Sequence, residues 1–434
     1  MFDLKAIGTV VGRLLMQTDR RALWYMVTNL MSKSLAAVAQ LAAIAVFLRL
    51  HSQDAAALIF LVLGYATWLQ LFEFGLAQTL QNKFNLRTVS IHETSIVMWS
   101  HYAVMWLIGV TLYLTNAPAS ILLPSGKSGL TATDYQAFSA GAALMVLCST
   151  NVIVHRVLII FHKGWLSNTL ISLQSIIIIL LLAAYYSSEE PTVLRSILIY
   201  MLPQVLVVMP FLLFLLRRLY RRGRSRRVLA SSSIFRDAAG YFALSGMSSV
   251  LLGMDYFIGA YYLDSLEIVA YHVVTRFFYV SFIVYYAYAI YAARRVSNIY
   301  SAESLQAVAR IRKTTILMGF CSVLAVFFLV LFSSVSGLIN YFANGLVLQK
   351  EFLVVALVYF LLRVYCDTGV IILGNLSFKK NLLLVYAIQI MVCAPLMFIL
   401  ARPYGAVGIL AALAAAYLVG AFVQVKPWRI TQHA

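Results

Sequence analysis

Twelve apolar runs of about 20 residues, separated by short polar stretches, constrain this chain more than any other feature. They fall at 23–48, 57–81, 95–115, 138–161, 167–187, 195–216, 240–262, 269–292, 315–333, 353–373, 382–400 and 406–424. A run of that length matches the hydrocarbon thickness of a bilayer. Lipid offers no partner to an open backbone N–H or C=O, so each run predicts a transmembrane helix. Composition excludes a soluble reading, because hydrophobic residues make up 62% of the 434 residues and charged ones only 11%. Too few charged side chains remain to cover a water-facing surface of that size.

An even number of spans puts both ends of the chain on one side. The loops and ends on that side hold 24 of the 33 Lys and Arg, whereas the other side holds Arg49, Lys127, Arg195, Lys350 and Arg402. The positive-inside rule then places both termini in the cytoplasm. The formal net charge of +18 therefore reports topology and not a nucleic-acid partner. Its densest run, Arg217-Arg218-Leu219-Tyr220-Arg221-Arg222-Gly223-Arg224-Ser225-Arg226-Arg227, follows the sixth span. It divides the chain into an N-terminal six-helix bundle (1–216), a basic cytoplasmic linker (217–239) and a C-terminal six-helix bundle (240–434). The linker reads first as a topogenic anchor, and second as a surface for acidic lipid headgroups. The loop 293–313 reads as a short cytoplasmic helix with Ser301 as N-cap, Glu303 in its first turn and Arg310, Arg312 and Lys313 at its end. Pro203, Pro210 and Pro395 lie inside spans and invite kinks.

Cys148, Cys321, Cys366 and Cys393 all sit in apolar stretches without metal-ligand or disulfide spacing, so no metal site is expected. Met1–Gln17 is amphipathic with no small-residue cleavage site, so no cleavable signal peptide is expected.

Histidines aside, seven ionisable residues fall well inside the spans: Lys33, Glu73, Arg156, Asp255, Arg276, Arg363 and Asp367. Each would cost about 2.5–3.5 kcal/mol at a helix centre facing lipid, so they predict a shared interior. At 100° per residue, Asn29, Lys33 and Gln40 lie within about 40° on the first span. Ser248, Asp255, Gly259 and Tyr262 share about 60° on the seventh, and His272, Arg276, Tyr279 and Tyr286 about 80° on the eighth. Asp255 and Arg276 flank the turn 263–268 at one depth, about 10 Å below the same surface. Several quieter roles stand beside the functional one. Asp255 and Arg276 could pair to hold the hairpin. Arg363 and Asp367, four apart, could neutralise each other. Lys33 and Arg156 could snorkel to the interface, and Glu73 could pair at its span end.

Four cations against three anions leave a cationic, tyrosine-rich interior, which suits an anionic amphiphile in transit, since Arg holds phosphate and rings stack on sugars. No phosphate-binding GxxxxGK[ST] loop, nucleophile triad or catalytic carboxylate pair can be made out, and the external loops are short, so no enzymatic activity is expected.

Arg49-Leu50-His51-Ser52-Gln53-Asp54, an apolar run, and then Phe72-Glu73-Phe74-Gly75-Leu76 resemble the "R-x-LG … D-x-GL" pattern of the Wzx-type polysaccharide flippases. That family belongs to the multidrug/oligosaccharidyl-lipid/polysaccharide exporter superfamily. Met254–Tyr262 with Val269-Ala270-Tyr271, and Leu338–Phe342, are similar to further segments of it. His51-Ser52 departs from the usual Leu-Gly turn, and Glu73 from the commoner Asp. The resemblance implies an all-α polytopic membrane protein of twelve helices, in two six-helix bundles related by a pseudo-two-fold around a central cavity. It implies a flippase of the bacterial inner membrane that works by alternating access on an undecaprenyl-diphosphate-linked oligosaccharide, for O-antigen, capsule or exopolysaccharide. Partners would be membrane lipids, the lipid-linked glycan and the polysaccharide polymerase and chain-length machinery. Arg276, Lys33, Arg156, Arg363, Tyr279 and Tyr286 are the expected substrate-binding residues. Asp255, Glu73 and Asp367 are the expected counter-charges or sites of H+ or Na+ coupling, with no cofactor. The alternatives are a multidrug or cation antiporter of the same superfamily, and a membrane glycan polymerase or ligase.

Overall fold

The computed structural model describes residues 20–65, 68, 72–85, 91–123, 131–160, 163–187, 190–222, 231–299, 305–336, 348–375 and 379–433. Every element among them is helical, as an apolar chain without water partners for its backbone requires. The first half holds α1 (Arg20–Leu50), α2 (Gln53–Gly64), α3 (Leu76–Asn85), α4 (Ile91–Thr115), a short α5 (Ala117–Leu122), α6 (Ala132–Ile160), α7 (Gly164–Tyr186) and α8 (Val193–Arg222). After the linker come α9 (Ser231–Tyr262), α10 (Ser265–Ile299), α11 (Leu305–Val335), α12 (Lys350–Asn375) and α13 (Lys379–His433).

Ten of the described helices are long and apolar enough to cross a membrane. Two local features bring this to the twelve expected passes. First, the second span is not one helix: it breaks between α2 and α3, where Phe74 (φ 50°) and Gly75 (φ 68°) are both left-handed. Second, α13 folds back on itself at Gly405, whose φ of 54° and ψ of −135° are non-helical. A straight α13 would hold Gln389 and Gly420 about 46 Å apart, yet a Cβ added at Gly420 would strike the Gln389 amide. The eleventh and twelfth spans are thus a hairpin with almost no loop. Its turn is the glycine and not Pro395, the position where the sequence invited a kink. Likewise α8 runs through Pro203 and Pro210 as one helix.

A separate cytoplasmic helix over 293–313 is not formed. Arg310, Arg312 and Lys313 lie in the first turns of α11, which continues without interruption into the ninth span. No Gly or Pro stands between Leu305 and Met318 to stop it. Ser301 and Glu303 lie outside the described residues, as do Gly223–Ala230 of the linker.

Within the first half α1 packs on α7, and α6 on α4 and α8. Within the second, α13 packs on α9 and α12, and α11 on α10 and α12. The seam between the halves is made by α10 against α1 and α2, and by α9 against α3. It is close-fitting. A Cβ at Gly64 would overlap the Tyr256 ring, and one at Gly75 would meet the backbone of Ala238 and Phe242. Glycine at 75 answers both demands, a positive φ and an opposing helix at backbone distance. At one end of the seam, near the 51–54 and 263–265 turns, Ser265 donates to Asp54, and Tyr261 donates to the Ile121 carbonyl at 2.7 Å.

Candidate functional site

The seam gathers the intramembrane charges, and Arg276 of α10 lies at its centre. Its Nη2 donates to the Leu63 carbonyl at 3.1 Å. Gln40 of α1, with its amide oxygen turned to the guanidinium, accepts from Nη1 at 3.0 Å and from Nε at 3.2 Å. The Tyr279 ring lies one turn along, its centre 5.6 Å from Arg276 Cζ. One guanidinium therefore joins three helices from both halves. Leu63 lies in the last turn of α2, and its carbonyl also accepts from the Tyr65 backbone N–H. A helix leaves its last four carbonyls without intrahelical donors, and a cation at that end also meets the negative pole of the helix dipole.

Among the described residues no carboxylate forms an ion pair with Arg276. Asp255, although it attracts Arg276 through space, is bonded elsewhere. It accepts from the Tyr271 hydroxyl at 2.5 Å and from the Tyr256 backbone N–H at 2.8 Å. The adjacent side chains tie the halves together. Tyr256 OH and His272 Nδ1 share a hydrogen bond of 2.9 Å, and His272 stacks on Phe60 of α2 at 4.4 Å.

Arg363 is held quite differently. It is 4% exposed and pairs with Asp367, 16% exposed, at 3.4 Å. Tyr279 OH accepts from Arg363 Nη1 at 2.7 Å and Tyr359 OH at 3.2 Å, while Tyr286 OH donates to Asp367 at 2.8 Å. The rings of Tyr279 and Phe282 each lie 4.9 Å from its Cζ. Its Nε thus faces a carboxylate, its Nη1 two hydroxyls and its plane two aromatic rings.

Lys33, Glu73 and Arg156 make a second group, in the first half. Arg156 is near enough to repel Lys33 and to attract Glu73. Lys33 is half-buried and Arg156 exposed. Glu73 sits in the break of the second span, with Oε2 buried and without a hydrogen-bond partner. Lys33 and Gln40 share a face of α1 about 10 Å apart, so one helix connects this group to Arg276.

The stripe expected on the seventh span does not all face the seam. Gly259 packs toward Ile409 and Tyr262 lies 6.0 Å from Phe398, both in the second half. The physical reason is that α9 packs along α13, which claims that face. Sequence reasoning named Gln40 only as part of a stripe, and missed the Leu63 carbonyl, Tyr271 and Tyr359. Tyr359 was findable, standing four residues before Arg363 on one helix face. A main-chain acceptor such as Leu63 leaves no side-chain signal.

Chemically, the contrast matters more than the count. Neutral acceptors around Arg276 can be exchanged for phosphate oxygens, because charge-assisted bonds are roughly twice as strong as neutral ones. Arg363 already has that kind of partner.

No family model matches this chain. Over 396 residues it is 22% identical to a candidate O-antigen transporter of Salmonella typhi, covering 88% of this chain and 89% of that protein. Among solved structures, the lipid II flippase MurJ in an inward closed conformation superposes with a TM-score of 0.71 at 12% identity, covering 93% of this chain and 87% of that one. An inward-facing multidrug MATE transporter of the MOP superfamily superposes at 0.67 with 14% identity, covering 94% and 98%. The fold is the one these transporters share, and the resemblance read from the first two helices is borne out.

Proposed function

We propose that this chain, a multi-pass membrane protein with the fold of the MOP superfamily and a likeness to O-antigen transporters along most of its length, is a flippase for lipid-linked oligosaccharide. It carries an undecaprenyl-diphosphate-linked glycan from the cytoplasmic to the outer leaflet of a bacterial inner membrane, with both termini cytoplasmic, by alternating access between its two halves. The observation that supports this most is Arg276, a half-buried guanidinium in the seam that forms no ion pair among the described residues. Lys33 and Arg156, on the side rich in Lys and Arg, receive the anionic headgroup. Arg276 then holds the diphosphate, while Tyr279 and Tyr286 offer rings to the adjoining sugars. Arg363 keeps Tyr279 in place. Asp255, bonded among the described residues to a hydroxyl and an amide, is the counter-charge at which coupling to H+ or Na+ would act, ahead of Glu73 and Asp367. Release outward requires that the two states differ in affinity for the headgroup.

The same fold serves multidrug transporters, but a guanidinium with no ion-pair partner among the described residues repels an organic cation at the seam. The test is Arg276→Ala in cells that display a surface polysaccharide. Display should vanish while membrane abundance holds, and single lipid-linked repeat units should accumulate on the inner leaflet. Normal display sinks the assignment. Accumulation on the outer leaflet instead would make the chain a polymerase or ligase.

A further inference from the structure

We propose that Gln40 and the Leu63 carbonyl are placeholders for the phosphate oxygens at Arg276, so that loading the headgroup unfastens the two halves. The inference rests on the flippase reading above and deepens it.

Arg276 belongs to the second half, and both of its hydrogen-bond partners belong to the first: the Gln40 amide oxygen at 3.0 and 3.2 Å, and the Leu63 carbonyl at 3.1 Å. Among the described residues these three bonds use the guanidinium's Nε, Nη1 and Nη2 in the seam, with no anion among them. A diphosphate presents the same geometry, oxygens spaced to accept from two N–H groups at once, with charge added. It cannot occupy that position while Leu63 and Gln40 do. Taking Arg276 therefore removes a tie between the first and second halves. The Leu63 carbonyl can yield Arg276 because it keeps its bond from the Tyr65 backbone N–H. Gln40 is on this account a positioning residue. Its amide is strong enough to aim the guanidinium and weak enough to yield it.

The residue type is the crux. Glu at position 40 would offer an oxygen in the same place with a negative charge, turning Arg276 into a copy of the satisfied Arg363–Asp367 pair. A purely structural role for Gln40 would tolerate that exchange.

The experiment reads the seam directly. Asp54 and Ser265, hydrogen-bonded across one end of the seam, are replaced by Cys in a protein whose four native cysteines are Ser. Disulfide formation is followed in lipid nanodiscs with and without undecaprenyl diphosphate, together with binding of that lipid. With Gln40 in place, the lipid should lower the cross-linked fraction at least about two-fold. Gln40→Leu, which frees one neutral acceptor, should cross-link less without lipid and bind it about five-fold more tightly, the worth of one ordinary hydrogen bond. Gln40→Glu should fold, cross-link fully, ignore the lipid and bind it at least about ten-fold more weakly, as a charge-assisted pair competes. Binding without any change in cross-linking overturns the inference and leaves the flippase reading standing. So does a Gln40→Glu protein that binds and responds like its parent. Absence of binding in the parent overturns the flippase reading and this inference with it.

Discussion

Arg276 and Arg363 lie over the same tyrosine ring, Tyr279, and yet are neutralised in opposite ways. Arg363 stands inside the second half with a carboxylate one turn away and two phenol acceptors. Arg276 stands in the seam, and its hydrogen-bond partners among the described residues are an amide and a backbone carbonyl. Burying a charge is costly in either case. A bonded counter-ion offsets the cost permanently, while neutral dipoles offset it provisionally. A transporter needs both kinds. The compensated arginine makes the second half rigid, and the under-compensated one keeps a cationic site ready for an anion. Depth and helical face do not distinguish them. Their neighbours do.

The sharpest way to break this contrast is to strip Arg363 of its partner. Asp367→Asn leaves a buried guanidinium without its counter-charge, and should destabilise the protein by about 3–5 kcal/mol. A large fall in the midpoint of thermal unfolding in detergent, with loss of membrane abundance, is the expected reading. The double change Arg363→Leu with Asp367→Leu should recover most of that loss, since a buried pair is often replaceable by well-packed apolar residues. If Asp367→Asn proves as stable as its parent, Arg363 is not held by the ion pair and the comparison collapses. Next in size is Arg276→Leu, which removes the bonds to the Gln40 amide and the Leu63 carbonyl but breaks no ion pair among the described residues. It should cost about 1–3 kcal/mol, less than Asp367→Asn, while abolishing transport altogether. The two arginines should thus dissociate, one in a stability assay and the other in a transport assay.

Much of this was open to a reader of the sequence, and the reasons are physical. The spans are legible because bilayer thickness sets helix length, and the seven charges within them stand out because lipid is intolerant of them. Helical periodicity put Gln40 on the face of Lys33, and Arg363 one turn from Asp367. What could not be read are the events that depend on two helices at once. Asp255 and Arg276 share a depth and an opposite sign, so pairing is the natural expectation, but Tyr271 and the Tyr256 amide reach Asp255 first. The break in the second span is foreshadowed only by Gly64 and Gly75, and these glycines answer to Tyr256 and to the α9 backbone, both more than 160 residues away in the chain. The Leu63 carbonyl carries no side-chain signature whatever. Periodicity also misassigned Gly259 and Tyr262, because a face of α9 can be polar and still belong to α13.

The smallest expected effect is also the one that separates ring from hydroxyl at the shared residue. Tyr279 serves Arg363 through its oxygen, which accepts from Nη1 at 2.7 Å, and serves Arg276 only through its face. Tyr279→Phe removes the oxygen and keeps the face. It should therefore weaken the Arg363 cluster by about 0.5–1.5 kcal/mol, the net worth of one hydrogen bond, seen as a small drop in the thermal midpoint. Arg276 keeps its ring, so transport and binding of undecaprenyl diphosphate should stay near the parent's. Tyr279→Leu takes the face as well, and should weaken lipid binding about two- to five-fold, in keeping with a cation–π contact of about 0.5–1 kcal/mol. If Tyr279→Phe impairs transport as severely as Tyr279→Leu, the hydroxyl acts on Arg276 through Arg363. The two arginines would then form one unit, and the division between a fixed and an exchangeable cation would have to be abandoned.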